Sequence, residues 1–222
     1  MKLQSTRLFS LLPCVLALIL NGCATADKES SGTQTTAVEN TAAAEQAYRQ
    51  GLASYKKGNY GAAVQQFRQA ADQGFAKAQF NLGIAYLQGQ GVAKDAREGI
   101  NWFRKAADQN FAPAQYNVGI AYAQGLGVQK DLRQAVEWFQ KAAKQGFDKA
   151  QYNLGTMLYQ GQGVAKDPVM AYVWLSLAAA QGNKDAQVAQ QKVAKSLSPA
   201  QKAQAQQLIP DYSRQYGKPT QA

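Results

Sequence analysis

The sequence predicts an all-α solenoid, a stack of two-helix units closed at its C-terminal end by further helices. Three observations carry this. The dipeptide Ala-Gln recurs at Ala78-Gln79, Ala114-Gln115, Ala150-Gln151 and Ala186-Gln187, at intervals of 36 residues. A fixed period of this length marks a repeat array, in which each unit buries its apolar face on its neighbours. Within each interval an apolar helical stripe, a Gly-x-Gly loop, a second helical stripe and a turn follow in order. The composition suits a folded chain, with 46% hydrophobic and 17% charged residues in 222.

Residues 1–22 read as an export signal, with Lys2 and Arg7 ahead of an apolar run of 13 residues from Leu8 to Leu20. A spanning helix needs about 20 such residues, so a cleaved signal is expected rather than a permanent anchor. Leu20-Asn21-Gly22-Cys23 resembles the lipobox of bacterial lipoproteins, although Asn21 is unusual there. The resemblance implies that Cys23 is acylated and becomes the mature N-terminus, while Cys14 leaves with the signal. Ala24 follows the cysteine where an Asp would imply retention at the inner membrane. The implied location is therefore the outer membrane, facing the periplasm. Residues 23–43 are rich in Ser, Thr, Ala and Glu with almost no large apolar side chain, and are expected to form a lipidated, disordered tether.

Residues 44–77 form a first, shorter unit. Gly51 to Phe67 spans 16 residues where the matching Gly83 to Phe103 spans 20, so its inter-helix loop is shorter. Units of full length are expected at 78–113, 114–149 and 150–185. The first helix of 78–113 carries Ala78, Leu82 and Ala85 at helical spacing and ends at Gly89 and Gly91, where a positive φ is easily reached. Asp95, Asp131 and Asp167 are placed to cap the second helices, and Pro168 suits a first helical position. Gly74, Asn110, Gly146 and Gly182 are placed to close them. Trp102, Trp138 and Trp174 share one register, each followed four residues on by an alanine. Residues 186–210 are expected to supply capping helices, one from about Asp185 and one begun by Ser198-Pro199 and ended by Pro210, with 211–222 as a loose tail.

The Gly-Leu-Ala-x-Tyr pattern of 44–77 resembles the tetratricopeptide repeat. The 36-residue units, with Gly-x-Gly-Val-x-Lys-Asp and Trp-x-x-Lys-Ala-Ala, resemble its Sel-one-like subclass, over about residues 44–185. AYVWLSLAAAQGNKDAQ and the later Leu-Ser-Pro-Ala-Gln resemble the terminal unit of bacterial members. The resemblance implies a superhelix whose concave face is lined by first helices and binds a peptide or protein segment. It implies a scaffold or adaptor in the cell envelope, the alternative being a component or regulator of a cell-wall or polysaccharide export machine.

The chain has no histidine and two cysteines, which removes imidazole bases, Ser-His-Asp and Cys-His nucleophiles, and histidine or thiolate metal sites. No enzyme activity, cofactor or metal is expected. Ser54-Tyr55-Lys56-Lys57 matches Ser-x-x-Lys of penicillin-binding enzymes, but Ser-Asp-Asn and Lys-Thr-Gly are missing. The net charge of +10 favours anionic partners.

The candidate peptide-binding residues are Tyr48, Phe80, Asn81, Ile84, Tyr116, Asn117, Ile120, Tyr152, Asn153 and Thr156. The apolar ones form a second stripe on the first helices, which either packs on the preceding unit or lines an aromatic groove. The asparagines share one position in three units, and a carboxamide offers a donor and an acceptor to a peptide backbone. They read either as a ligand ladder or as bridges within the repeat. Lys94, Lys130 and Lys166 form a column in the loops, and Lys105 and Lys141 another on second helices. These are solvated faces first, with an anionic glycan or lipid headgroup as a secondary expectation. Partners are thus a protein or peptide in the envelope and the membrane through the N-terminal lipid, with nucleic acid not expected.

Overall fold

The computed structural model describes residues 35–217, with side chains from Ala42 onward. Among these residues there are ten helices and no strand: α1 (Thr35–Lys56), α2 (Tyr60–Asp72), α3 (Ala76–Gln88), α4 (Ala96–Asp108), α5 (Ala112–Gln124), α6 (Leu132–Lys144), α7 (Asp148–Gln160), α8 (Pro168–Ala180), α9 (Lys184–Ser196) and α10 (Pro199–Tyr216). The closest pairings are α1 with α2, α3 with α4, α5 with α6 and α7 with α8, and each pair stacks on the next. The signal, Cys23 and most of the tether lie outside the described residues.

Local chemistry sets the helix ends. Asp95, Asp131 and Asp167 are extended residues whose carboxylates accept the amides of Glu98, Arg133 and Met170 at 3.0, 2.9 and 2.9 Å. Each satisfies donors that the first helical turn leaves without partners. Gly89, Gly125 and Gly161 end the first helices in the left-handed region, and Gly74, Asn110, Gly146 and Gly182 take positive φ just past the second helices.

Within each pair, a ring or branched side chain of the second helix lies directly on a glycine of the first. A Cβ on Gly119 would sit 2.7 Å from Cδ1 of Phe139, and one on Gly83 would sit 2.6 Å from Cδ1 of Phe103. Gly51 meets Phe67 in the same way, and Gly155 meets Leu175. In the loops the second glycine does two things. Gly127 takes φ +66°, and a Cβ there would lie 2.5 Å from the Ala96 carbonyl oxygen of the preceding unit.

A chain of glutamines runs along the seams between units. Gln79, Gln115 and Gln151 are 5%, 3% and 0% exposed. Their Nε2 groups donate to the carbonyls of Ala71, Ala107 and Ala143 in the preceding second helix, each at 3.1 Å. Their Oε1 atoms accept from Gln109, Gln145 and Gln181 just past the following second helix, at 2.7, 2.6 and 2.8 Å. Every seam therefore buries a polar group that is satisfied only when adjacent units are in register.

The stack ends where this chemistry stops. Gln191 of α9 stands in the glycine register and is exposed, so α9 presents no flat surface for a second helix, and Val188 is 70% exposed. Two expectations are corrected. Helix α10 does not end at Pro210 but continues to Tyr216, so the first part of the expected tail, 211–216, is helical. A proline here removes one main-chain bond, whereas Tyr212 and Tyr216 pack on Trp174 with ring centroids 5.4 and 5.5 Å away. Likewise α1 begins at Thr35, inside the segment expected to be disordered. Its core half, anchored by buried Ala44 and Ala47, supplies the nucleus onto which upstream Thr, Ala and Glu residues add at one bond each.

Two substitution pairs test this packing by thermal unfolding. Gly119→Ala drives a methyl into a fixed ring and lowers stability by about 1–3 kcal/mol. Gly61→Ala, in α2 with nothing within 4 Å of the new Cβ, raises it by about 0.4–1 kcal/mol. Gln115→Ala removes the buried carboxamide that joins Ala107, Asn110 and Gln145 and lowers stability by about 1–3 kcal/mol. Exposed Gln140→Ala, in α6, leaves the melting temperature nearly unchanged.

Candidate functional site

The second stripe on the first helices packs in a direction not expected. Tyr48 lies 5.9 Å from Phe67 and 5.1 Å from Phe75, Phe80 lies 5.2 Å from Phe103 and 5.5 Å from Phe111, and Tyr116 lies 5.8 Å from Phe139 and 5.2 Å from Phe147. Each ring thus meets its own second helix and the phenylalanine that precedes the next first helix. It packs forward rather than on the preceding unit. The fourth unit has Leu175 and Asn183 at those two registers, and Tyr152 packs instead against the cluster of Ala171, Leu175 and Val193. Burial pushes the Tyr152 phenol up, and the Asp185 carboxylate adds to this.

These contacts sort the candidate residues. Phe80, Ile84, Asn81 and Asn153 are buried, at 9% exposure or less, so their side chains are core and not a binding surface. Tyr48, Tyr116, Asn117, Ile120, Tyr152 and Thr156 remain half-buried. The asparagines do not act alike. The Asn81 side chain hydrogen-bonds the Tyr48 phenol, which burial otherwise pushes up, and so ties two units together. Asn117 donates to the Pro113 carbonyl of its own helix at 2.8 Å. Thr156 likewise donates to the Tyr152 carbonyl at 2.9 Å. What stays accessible is therefore a strip on α5 and α7, with Tyr116, Asn117 and Ile120 on one helix and Tyr152, Thr156 and Tyr159 on the next.

The loop lysines Lys94, Lys130 and Lys166 are exposed, except that Lys166 Nζ lies 5.6 Å over the Tyr159 ring. Lys105 and Lys141 cover the rings of Trp102 and Trp138, with Nζ 3.6 and 3.9 Å from the centroids. Those two cations are engaged with their own helices. An open depression beside the loop after α5 is lined by Asp95, Arg97, Gly125, Gly127, Val128 and Gln129. The Asp95 carboxylate there is held by its capping bond, and the lining contains no pairing of nucleophile and base.

Sequence reasoning missed two sets of seam residues. The glutamines served only as markers of the period, and their recurrence next to an invariably small Ala was the available signal. The guanidiniums of Arg68 and Arg104 donate to the hydroxyls of Tyr86 and Tyr122 in the next unit while lying over their rings. The 18-residue spacing common to both pairs was the signal for these.

Four consecutive Sel1 repeats match the family model, at residues 40–75, 76–111, 112–147 and 148–183. The Sel1 repeat protein from Oxalobacter formigenes is 36% identical with a TM-score of 0.63, over 71% of this chain and 64% of that one. A protective antigen of uropathogenic Escherichia coli with an SLR fold is 29% identical with a TM-score of 0.56, over 82% of this chain and 47% of that one. This chain thus spans less than two thirds of either structure. The DAP3-binding cell death enhancer 1 of Mus musculus is 40% identical over 50 residues, 22% of this chain and 10% of that protein. Sel1 repeat proteins are generally protein-interaction scaffolds and typically non-enzymatic. With matched units that coincide with the four stacked helix pairs, the chain belongs to the Sel1 repeat family.

Proposed function

We propose that this protein is a non-catalytic scaffold, tethered to the cell envelope through lipid on Cys23, that holds a peptide or protein segment along the first helices. The supporting observation is the accessible strip on α5 and α7. Tyr116, Asn117 and Ile120 on one helix, and Tyr152, Thr156 and Tyr159 on the next, keep part of their surface open. Helices stack about 8–10 Å apart and an extended strand rises about 3.3 Å per residue, so neighbouring helices meet every third ligand residue. The strip combines rings, a branched aliphatic and hydroxyls or carboxamides that can satisfy a main chain as it is desolvated.

The anchor rests on the sequence alone. A short apolar run followed by Leu20-Asn21-Gly22-Cys23 fits lipidation, and several acyl chains at about 0.8 kcal/mol per buried methylene hold a protein to a bilayer permanently. Ala24 after the cysteine favours the outer membrane, with the repeats in the periplasm.

Two measurements test this reading. Residues 24–222 contain the whole described fold, and as bait in envelope extract they should recover a partner that Ile120→Asp with Thr156→Asp loses at least tenfold. Both baits must keep the same helicity and melting temperature. Equal recovery by the two would remove the first-helix strip as the binding surface. In cells, Cys23→Ser should move the protein from the membrane fraction to the soluble one and abolish incorporation of labelled palmitate. A variant that stays with the membrane would refute the lipid anchor.

A further inference from the structure

Helix α9 takes the place of a first helix without having a second. Its Gln187 Nε2 donates to the Ala179 carbonyl of α8 at 3.5 Å, the bond that Gln151 makes to Ala143 at 3.1 Å one unit earlier. Asn183 donates to the carboxylate of Asp148, the first residue of α7, at 2.7 Å, and so ties the starts of the two helices together. The 36-residue register of the first helices therefore carries onto α9 in space as well as in sequence.

In that register the accessible strip continues and changes character. Tyr116 and Tyr152 are followed by Val188, Ile120 and Thr156 by Lys192, and Ala123 and Tyr159 by Lys195. Spaced by four and then three residues, Val188, Lys192 and Lys195 share one face of α9. All three are exposed, Val188 at 70%. Helix α5 has no charged residue and α7 none beyond its first two, whereas α9 sets two ammonium groups on this face. Lys166 brings a third cation to the strip, its Nζ over the ring of Tyr159.

The stack itself does not account for these cations. Among the described residues no carboxylate pairs with Lys192 or Lys195, and Asp185, the one acid of α9, acts instead on the Tyr152 phenol. A cation in a last turn can offset the helix dipole, but α3, α5 and α7 have none there, so a first helix does not need one. Nor does α10 cover this face, because its main neighbour is α8. There Leu177 stands in place of the lysines that lie over Trp102 and Trp138, which leaves the ring of Trp174 to Tyr212 and Tyr216. Gln115 gives an N–H to the Asn110 side chain at 3.1 Å, whereas Gly146 has no side chain to offer and Gln151 donates to the Tyr216 carbonyl at 2.8 Å.

We propose that the segment held along the first helices is acidic at one end, and that its carboxylates meet Lys192 and Lys195 of α9. This rests on the first-helix strip as the binding surface and names the chemistry of its occupant. With one helix met about every third ligand residue, apolar side chains lie on α5 and α7 and the Asp or Glu residues follow a further step along. The charge also sets direction. Rings and aliphatic side chains accept an extended chain running either way, but only one orientation brings its acidic end to α9.

The test is selection of random dodecapeptides displayed on phage against residues 24–222. The recovered peptides should carry apolar residues about three apart, with Asp or Glu beyond them on one side only. Lys192→Gln with Lys195→Gln should remove the acidic preference, keep the apolar one, and weaken the best acidic peptide about fivefold at low salt, as two exposed ion pairs would. The same loss of charge at the other end of the array, Lys56→Gln with Lys57→Gln, should do neither. An acidic preference that survives the first variant, or that the second loses equally, reflects overall charge and overturns the proposal. So does sedimentation with phosphatidylglycerol vesicles that only the Lys192 and Lys195 variant loses, without any acidic preference among peptides, since the cations then serve a membrane surface. In each of these cases apolar selection that Ile120→Asp with Thr156→Asp abolishes leaves the strip standing. Recovery of no peptide at all overturns the strip and the acidic end together.

Discussion

Everything in this array depends on how closely the two helices of a unit approach one another. The distance is set at one register, where Gly51, Gly83, Gly119 and Gly155 leave the helix surface bare and Phe67, Phe103, Phe139 or Leu175 lies on it. A β-carbon at any of these positions would occupy space already held by a ring or a branched side chain. The consequence propagates outward. Close pairing brings each unit's carbonyls and amides within reach of the next, so the glutamine seam, the Arg–Tyr clasps and the loop glycine against the preceding helix all presuppose it. The same register explains the end of the array, since Gln191 occupies it in α9.

The seams combine two kinds of force. The alanines around Gln79, Gln115 and Gln151 supply dense apolar packing without direction, whereas the carboxamides supply direction. A buried carboxamide in a slipped register would leave its own donor and acceptor without partners, and each such loss is costly in a low dielectric. Register is thereby fixed unit by unit. The aromatic triads add stiffness beside the seams, Phe80 and Tyr116 directly following Gln79 and Gln115, because each ring bridges its own second helix and the start of the following unit. The stack holds the accessible side chains of its first helices in a set geometry as a result.

The repeat, its helix caps and its glycine turns were legible in the sequence because each is local. An Asp before a helical stripe, a Gly-x-Gly after one and a fixed period need no knowledge of distant partners. The direction of the aromatic stripe was not legible, since periodicity shows that a face is apolar but not which neighbour covers it. Asn81 and Asn117 occupy one register and do different things because the residue one unit back is Tyr48 in one case and Phe80 in the other. Only the first can accept the hydrogen bond. Pro210 misled for the opposite reason. Its local cost is real, but two tyrosines beyond it reach Trp174 and outweigh that cost through long-range packing that no local rule registers.

The seam also bears on how such a chain can change in length. Gln115 meets Ala107, and Gln151 meets Ala143, through the same atoms at the same 3.1 Å. The surface that the second unit offers to the third is therefore a copy of the one the third offers to the fourth. Removing residues 112–147 would bring α4 against α7 with donor facing acceptor as before. The protein is in this sense graduated, and its reach can be lengthened or shortened by whole units while each joint remains satisfied. The graduation stops at the C-terminal end, where Leu177 of the last unit and Gly146 just before it commit the surface to α10, so growth of the array is confined to its interior.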